Sequence, residues 1–157
     1  MSPGDGTMRV FIAALLLAGV ATPAAAEEWY YVSDGDEGIV FADADSVQQA
    51  GEAVTVLGFF GSAEPLDVKY QPPVVIWYWI TQFEFLCESG QYRTTRTDSY
   101  NEFHVLEYST DHREAWAAVP AESLIHGMRQ FACDGVRFSV AGNPFDFTDE
   151  IFFGSEE

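Results

Sequence analysis

The sequence predicts an α+β domain: an antiparallel sheet of about six strands, with one C-terminal helix packed on one face and tied there by a disulfide. Three observations carry that prediction. Residues 74–87, Val-Val-Ile-Trp-Tyr-Trp-Ile-Thr-Gln-Phe-Glu-Phe-Leu-Cys, are the densest aromatic and β-branched run in the chain. Other strand-like runs are joined by Gly, Asp and Pro clusters, without the strand–helix alternation of a parallel sheet. A single later segment repeats apolar residues at helical spacing, and Cys87 and Cys133 close the long strand and that segment.

Residues 1–26 read as a leader rather than as part of the fold. Met8 and Arg9 precede an apolar run of about ten residues, the length of a signal-peptide h-region, and Ala24-Ala25-Ala26 supplies the small-residue cleavage site. The run is too short to span a bilayer. Cleavage after Ala26 gives a mature chain from Glu27, and Met8 is an alternative start to Met1. No cysteine follows the apolar run, so no lipid anchor is expected, and no later segment reads as a membrane span. The expected location is periplasmic or secreted.

Residues 27–134 read as one domain and 135–157 as an acidic, Phe-rich tail. Within the domain, residues 29–32 and 39–42 form a hairpin around the turn 33–38. Asp34, Asp36 and Glu37 resemble the start of a calcium loop. Gly38 occupies the next ligand position and no bidentate Glu follows at the right spacing, so a solvated turn is expected. Residues 43–51 have the acid and hydroxyl groups of one capped helical turn, ended by Gly51. Residues 53–61 form a third strand, and 62–73 a loop held extended by Pro65, Pro72 and Pro73.

The long strand comes next. Its odd residues Val75, Trp77, Trp79, Phe83, Phe85 and Cys87 share one face, and Val74, Ile76, Tyr78 and Ile80 share the other. A strand apolar on both faces belongs in the middle of a sheet. Residues 91–100 are a polar strand and 103–109 the last one. Ala121, Leu124, Ile125, Met128, Phe131 and Ala132 then form one helical stripe with Pro120 at its first turn, and its natural target is the odd face. Cys133 lies off that stripe, so the disulfide requires the helix to loosen near Ala132. The tail sets Phe138, Phe145, Phe147, Phe152 and Phe153 among Asp146, Asp149 and Glu150, and partial docking on the even face is expected.

The formal net charge is −18, and the leader holds only one acid and one base, Asp5 and Arg9. Nucleic acid and anionic lipid are therefore poor partners, and cationic peptides, basic protein patches or divalent metals better ones. Two cysteines in an exported chain favour a disulfide, and the lack of a CxxC argues against a redox enzyme. His104, His112 and His126 are scattered, with no G-x-S-x-G, H-E-x-x-H or phosphate loop beside them. No enzyme, cofactor or metal site is predicted. Trp77, Tyr78 and Trp79 could stack on a sugar or peptide, but mid-strand aromatics are more often core or dimer interface.

The order of features resembles the surface-adhesin protein E family of Gram-negative bacteria over roughly residues 29–133. The resemblance rests on Trp29, the Phe41-Ala42-Asp43 strand end, Asp45-Ser46-Val47 with Gly51, Cys87 followed by Tyr92-Arg93, Trp116-Ala117-Ala118-Val119-Pro120 ahead of Ser123, and Cys133. It implies a sheet of about six strands with a C-terminal helix tied to the concave face by Cys87–Cys133, dimers, and outward-facing binding of host matrix proteins. Only the two cysteines carry over as site residues.

The functional expectation is an exported, non-enzymatic, adhesin-like module that binds protein partners, itself included, through Val74, Ile76, Tyr78 and Ile80. The alternative is a periplasmic small-ligand-binding protein with a pocket between sheet and helix, lined by Trp77, Trp79 and Met128.

Overall fold

The computed structural model describes residues 28–68 and 73–154. The signal-peptide reading, Lys69, Pro72 and the last three residues lie outside the described residues. Strands β1 (Trp29–Gly35) and β2 (Gly38–Asp43) form the expected hairpin, turning at Asp36 and Glu37. Then come β3 (Gln48–Ala50), β4 (Ala53–Val68), β5 (Val74–Leu86), β6 (Gln91–Tyr100), β7 (Leu106–Asp111) and β8 (Ala117–Ala118). The main path runs β1-β2-β4-β5-β6-β7, all antiparallel, with β3 added to β4 and β8 to β6. Six strands therefore carry the sheet, and β5 is flanked on both sides as its two apolar faces require.

Two local expectations need correction. Residues 43–51 hold only a 3-10 turn, Ala44–Ser46, before β3 begins; Asp43 caps it by accepting from the Asp45 amide at 3.0 Å. Residues 62–68, expected as loop, continue β4. The pairing of β4 with β5 breaks between Gly61 and Leu66, and Pro65, which has no N–H to give the ladder, falls inside that break.

The first helix, α1 (Leu124–Cys133), begins where Ser123 accepts from the His126 amide at 3.2 Å, so Pro120 stands before the helix rather than in its first turn. Met128 and Phe131 are buried against Val32, Val40, Ala42, Val56 and Phe85. Cys87 and Cys133 form the disulfide, their Cα atoms 5.6 Å apart. The helix does not loosen before Cys133. Cys133 is its last residue, the Asp134 amide still bonds the Gln130 carbonyl, and the chain turns at Gly135 with φ +67. The end of β5 meets the end of α1, where a cysteine need not share the apolar stripe. Closing a separation of 46 residues stabilises the fold by on the order of 4 kcal/mol.

The odd face is only half covered by α1. Phe83, Phe85 and Cys87 lie beneath it, whereas Trp79 packs on Phe60 at 5.5 Å and Val75 stays exposed. On the opposite face, where partial docking of the tail was expected, lies a second helix, α2 (Pro144–Phe153), which the sequence reading did not include. Asn143 caps it by accepting from the Phe145 amide at 3.0 Å, and Pro144 takes the first turn, where a missing N–H is harmless. Phe145 meets Phe59, Tyr78 and Tyr100 edge-on at 4.8, 5.1 and 5.3 Å, and Phe147 meets Phe41 at 5.4 Å. The chain between the helices closes the β1 edge through Tyr31 N–H to Ser139 and Ala141 N–H to the Trp29 carbonyl. The result is a sheet with one helix on each face.

Candidate functional site

The turn joining β6 to β7 is fixed by one side chain. Asn101 Oδ1 accepts from the Phe103 amide at 2.9 Å and the Val105 amide at 3.1 Å, and the Asn101 amide donates to the Val105 carbonyl at 3.0 Å. Four-residue closure of this kind leaves Phe103 pointing outward, 75% exposed. His104 adopts φ +61, a left-handed conformation uncommon outside glycine. That conformation accompanies an imidazole set 2.9 Å, Nε2 to Oδ2, from Asp149 of α2.

The other Asp149 oxygen accepts from the Tyr78 hydroxyl. Burial, and after it the bond to Asp149, pushes the Tyr78 phenol well above its ordinary pKa. The ring of His104 also lies 5.3 Å from that of Tyr78 and 4.7 Å from that of Phe145. Tyr78, His104 and Asp149 thus join the sheet, the turn and α2 at one point.

Above this junction opens a cleft of about 680 Å³ between the turn and the C-terminal end of α2. Tyr78 and Asp149 form its base; Trp77, Phe103 and Phe153 supply aromatic walls, and Glu102 and Glu150 supply carboxylates. Trp77 meets Phe153 edge-on at 4.9 Å. Trp77 therefore contacts the α2 side although its number places it on the odd face. It sits opposite the break in β4 pairing, where the local twist of a bulged ladder re-aims side chains.

The residues expected to form an interaction face are placed as follows. Ile76 and Tyr78 are 0% and 1% exposed, and Val74 and Ile80 are half-buried. The chain's own tail, through Phe145 and Asp149, occupies the space in front of Tyr78. A second cavity, about 420 Å³, lies between sheet and α1 beside Val40, Gly58, Phe60, Phe83, Leu124 and Met128. Of the lining expected there, Met128 is present; Trp77 and Trp79 are not, because α1 lies over the later half of β5. Among the described residues no group of three or more His, Cys, Asp or Glu could hold a metal, and no helix is long and apolar enough to cross a membrane.

Sequence reasoning did not single out Glu102, Phe103, His104, Asp149 or Glu150 as a group. His104 and Asp149 are 45 residues apart and Tyr78 and Asp149 71, so no spacing rule links them. The signal within reach was the alternation of aromatic and acidic residues in the tail.

The model of the surface-adhesin protein E family matches residues 29–134. The chain belongs to the surface-adhesin protein E family. Among solved structures, crystal form II of Haemophilus influenzae protein E is 14% identical, covers 70% of this chain and 89% of its own, and superposes with a TM-score of 0.54. Protein E from non-typeable Haemophilus influenzae is 15% identical, with 86% and 93% of the two chains covered and a TM-score of 0.50. At such identities the likeness is one of fold. No curated protein matches the sequence. The family match ends at residue 134, so Asp149, Glu150 and Phe153 of the cleft lie beyond the matched region, while Trp77, Glu102 and Phe103 lie within it.

Proposed function

We propose that this protein is an exported, non-enzymatic, adhesin-like module that binds a protein partner at the cleft between the β6–β7 turn and α2. The observation that carries the reading is Phe103, three-quarters exposed on a turn that hydrogen bonds hold in place. Phe153, at the same cleft, is exposed with it, as are the neighbouring turn residues Val105 and Leu106, and exposed apolar groups gathered at a cleft of an acidic chain suit a contact site. Membership of an adhesin family supports the same reading. Export is tested by mass spectrometry of the mature protein, with an N-terminus at Glu27 expected. Binding is tested with the mature chain immobilised and exposed to culture medium and to purified matrix proteins. A partner retained by the wild type and lost by the Phe103→Ala/Phe153→Ala double variant is expected; equal retention by both would move the contact elsewhere.

A second reading, a small-ligand-binding protein, is favoured by the apolar cavity under α1. Its volume falls in the range of ligand pockets. Gly58 keeps it open, since a Cβ there would stand 2.9 Å from both Met128 Cε and Phe83 Cε2. Uptake of the neutral probe N-phenyl-1-naphthylamine, abolished in Gly58→Val, would support this reading; no uptake by the wild type would remove it.

A further inference from the structure

We infer that the cleft receives a lysine or arginine side chain carried by a basic segment of the partner. The inference rests on the proposed role of the cleft as a contact site and names the chemistry it selects. Its walls combine two features that suit an alkyl-stemmed cation. Trp77, Phe103 and Phe153 present ring surfaces, whose negative faces attract ammonium and guanidinium groups and whose apolar area accepts the methylene stem. Glu102 and Glu150 stand at the same opening, and both are exposed.

No described cation of the chain satisfies those two carboxylates. Arg93 and Arg113 are engaged with Glu84, Arg96 with Asp98 and Asp111, and Arg129 with Asp134. Arg137 lies 4.1 Å over the Phe131 ring and donates to the Phe131 carbonyl. Among the described residues the ion pairs include neither Glu102 nor Glu150. Asp149, by contrast, is held by His104 and Tyr78 and serves as the base rather than as a free acceptor.

The alternatives fit less well. An anionic ligand would meet carboxylates on a chain of net charge −18. A bare divalent ion would need three close oxygen or nitrogen ligands, and none are grouped so among the described residues. A second copy would bring the same negative charge, and its described arginines are already engaged.

The test uses the mature chain with tetra-arginine amide, tetra-lysine amide and, as neutral control, tetra-glutamine amide, followed by NMR and calorimetry. The cationic peptides are expected to shift the Trp77 indole and the amides of Glu102, Phe103 and Glu150, with arginine the tighter because its planar group stacks on rings. Phe103→Ala, and separately Glu102→Gln/Glu150→Gln, should each weaken binding about tenfold, the scale of a partly desolvated cation–ring contact. Shifts spread over other acidic segments such as Asp34–Glu37, binding indifferent to Phe103→Ala, or no binding would each overturn the inference. Should Glu102→Gln/Glu150→Gln leave partner capture intact while Phe103→Ala/Phe153→Ala abolishes it, the contact site stands and its cation selectivity falls. Capture unaffected by every cleft variant would remove both.

Discussion

At the scale of single residues, Tyr78 does more than fill space. Its ring packs under Phe145 while its hydroxyl donates to Asp149, so one side chain serves both the core and the junction with α2. Replacing it by phenylalanine keeps the ring and removes the donor. A loss of about 1 kcal/mol is expected, the net worth of one hydrogen bond whose acceptor water can reach. The phenol also sets a pH dependence. Burial holds the Tyr78 proton above the ordinary value of 10.0, and partial desolvation together with the bond to Asp34 pushes half-buried Tyr31 up to about 12. An unfolded chain releases these protons near 10, so above that pH the native state binds more protons than the unfolded one. Stability from this source is complete below pH 10 and is lost as pH rises through the native values. Urea melts at pH 8, 10 and 11 should show that decline, shallower in Tyr78→Phe than in the wild type; identical slopes would separate the decline from Tyr78.

At the scale of elements, α2 docks because β4 offers it a place without a side chain. Thr148 is fully buried over Gly61, and a Cβ on Gly61 would come within 2.5 Å of Thr148 Cγ2 and 3.2 Å of its Cβ. A β-branched side chain cannot swing clear there, so Gly61→Ala must lift the helix. We expect a loss of about 1–3 kcal/mol and a faster exchange of α2 amides. Gly58→Ala, on the opposite face, meets the methyl end of Met128 and the edge of the Phe83 ring, both outer side-chain atoms rather than a β-branched Cβ, and should cost less; thermal melts of the two variants make the comparison. The same elements show what was legible in the sequence. The two-faced pattern of β5 and the stripe of α1 are periodic signals, and both gave elements close to those observed. The tail hides its helix because Phe145 and Phe147 alternate like a strand while Ile151, Phe152 and Phe153 run together, so no single period dominates. β4 runs past Pro65 because a break in pairing absorbs the missing donor, a tertiary accommodation that proline alone does not announce. The cleft could not be read at all, since its residues come from β5, a turn and α2, which only the fold brings together.

At the scale of the molecule, the two helices are secured differently. A covalent bond ties α1 to the end of β5, whereas α2 is held by ring packing, by Thr148 over Gly61 and by the Tyr78–Asp149–His104 junction. The even face is therefore the one the molecule can uncover without breaking a bond, and its cover is also one wall of the cleft. This changes what an apolar even face means for self-association: a second copy could reach Tyr78 only after α2 had left. Ending the chain at Gly142 tests that ordering. The truncation strips the cover from Phe41, Phe59 and Tyr78, each worth about 1.5–3 kcal/mol when buried. It also removes Asp146, Asp149, Glu150, Glu156 and Glu157, and with them part of the charge that keeps copies apart. Sedimentation should find the truncated chain in larger species than the chain of residues 27–157, with a lower melting temperature and no shift of Trp77 by cationic peptides. A truncated chain that sediments like the full one would show that the sheet tolerates an open even face, and that α2 serves the cleft rather than the core.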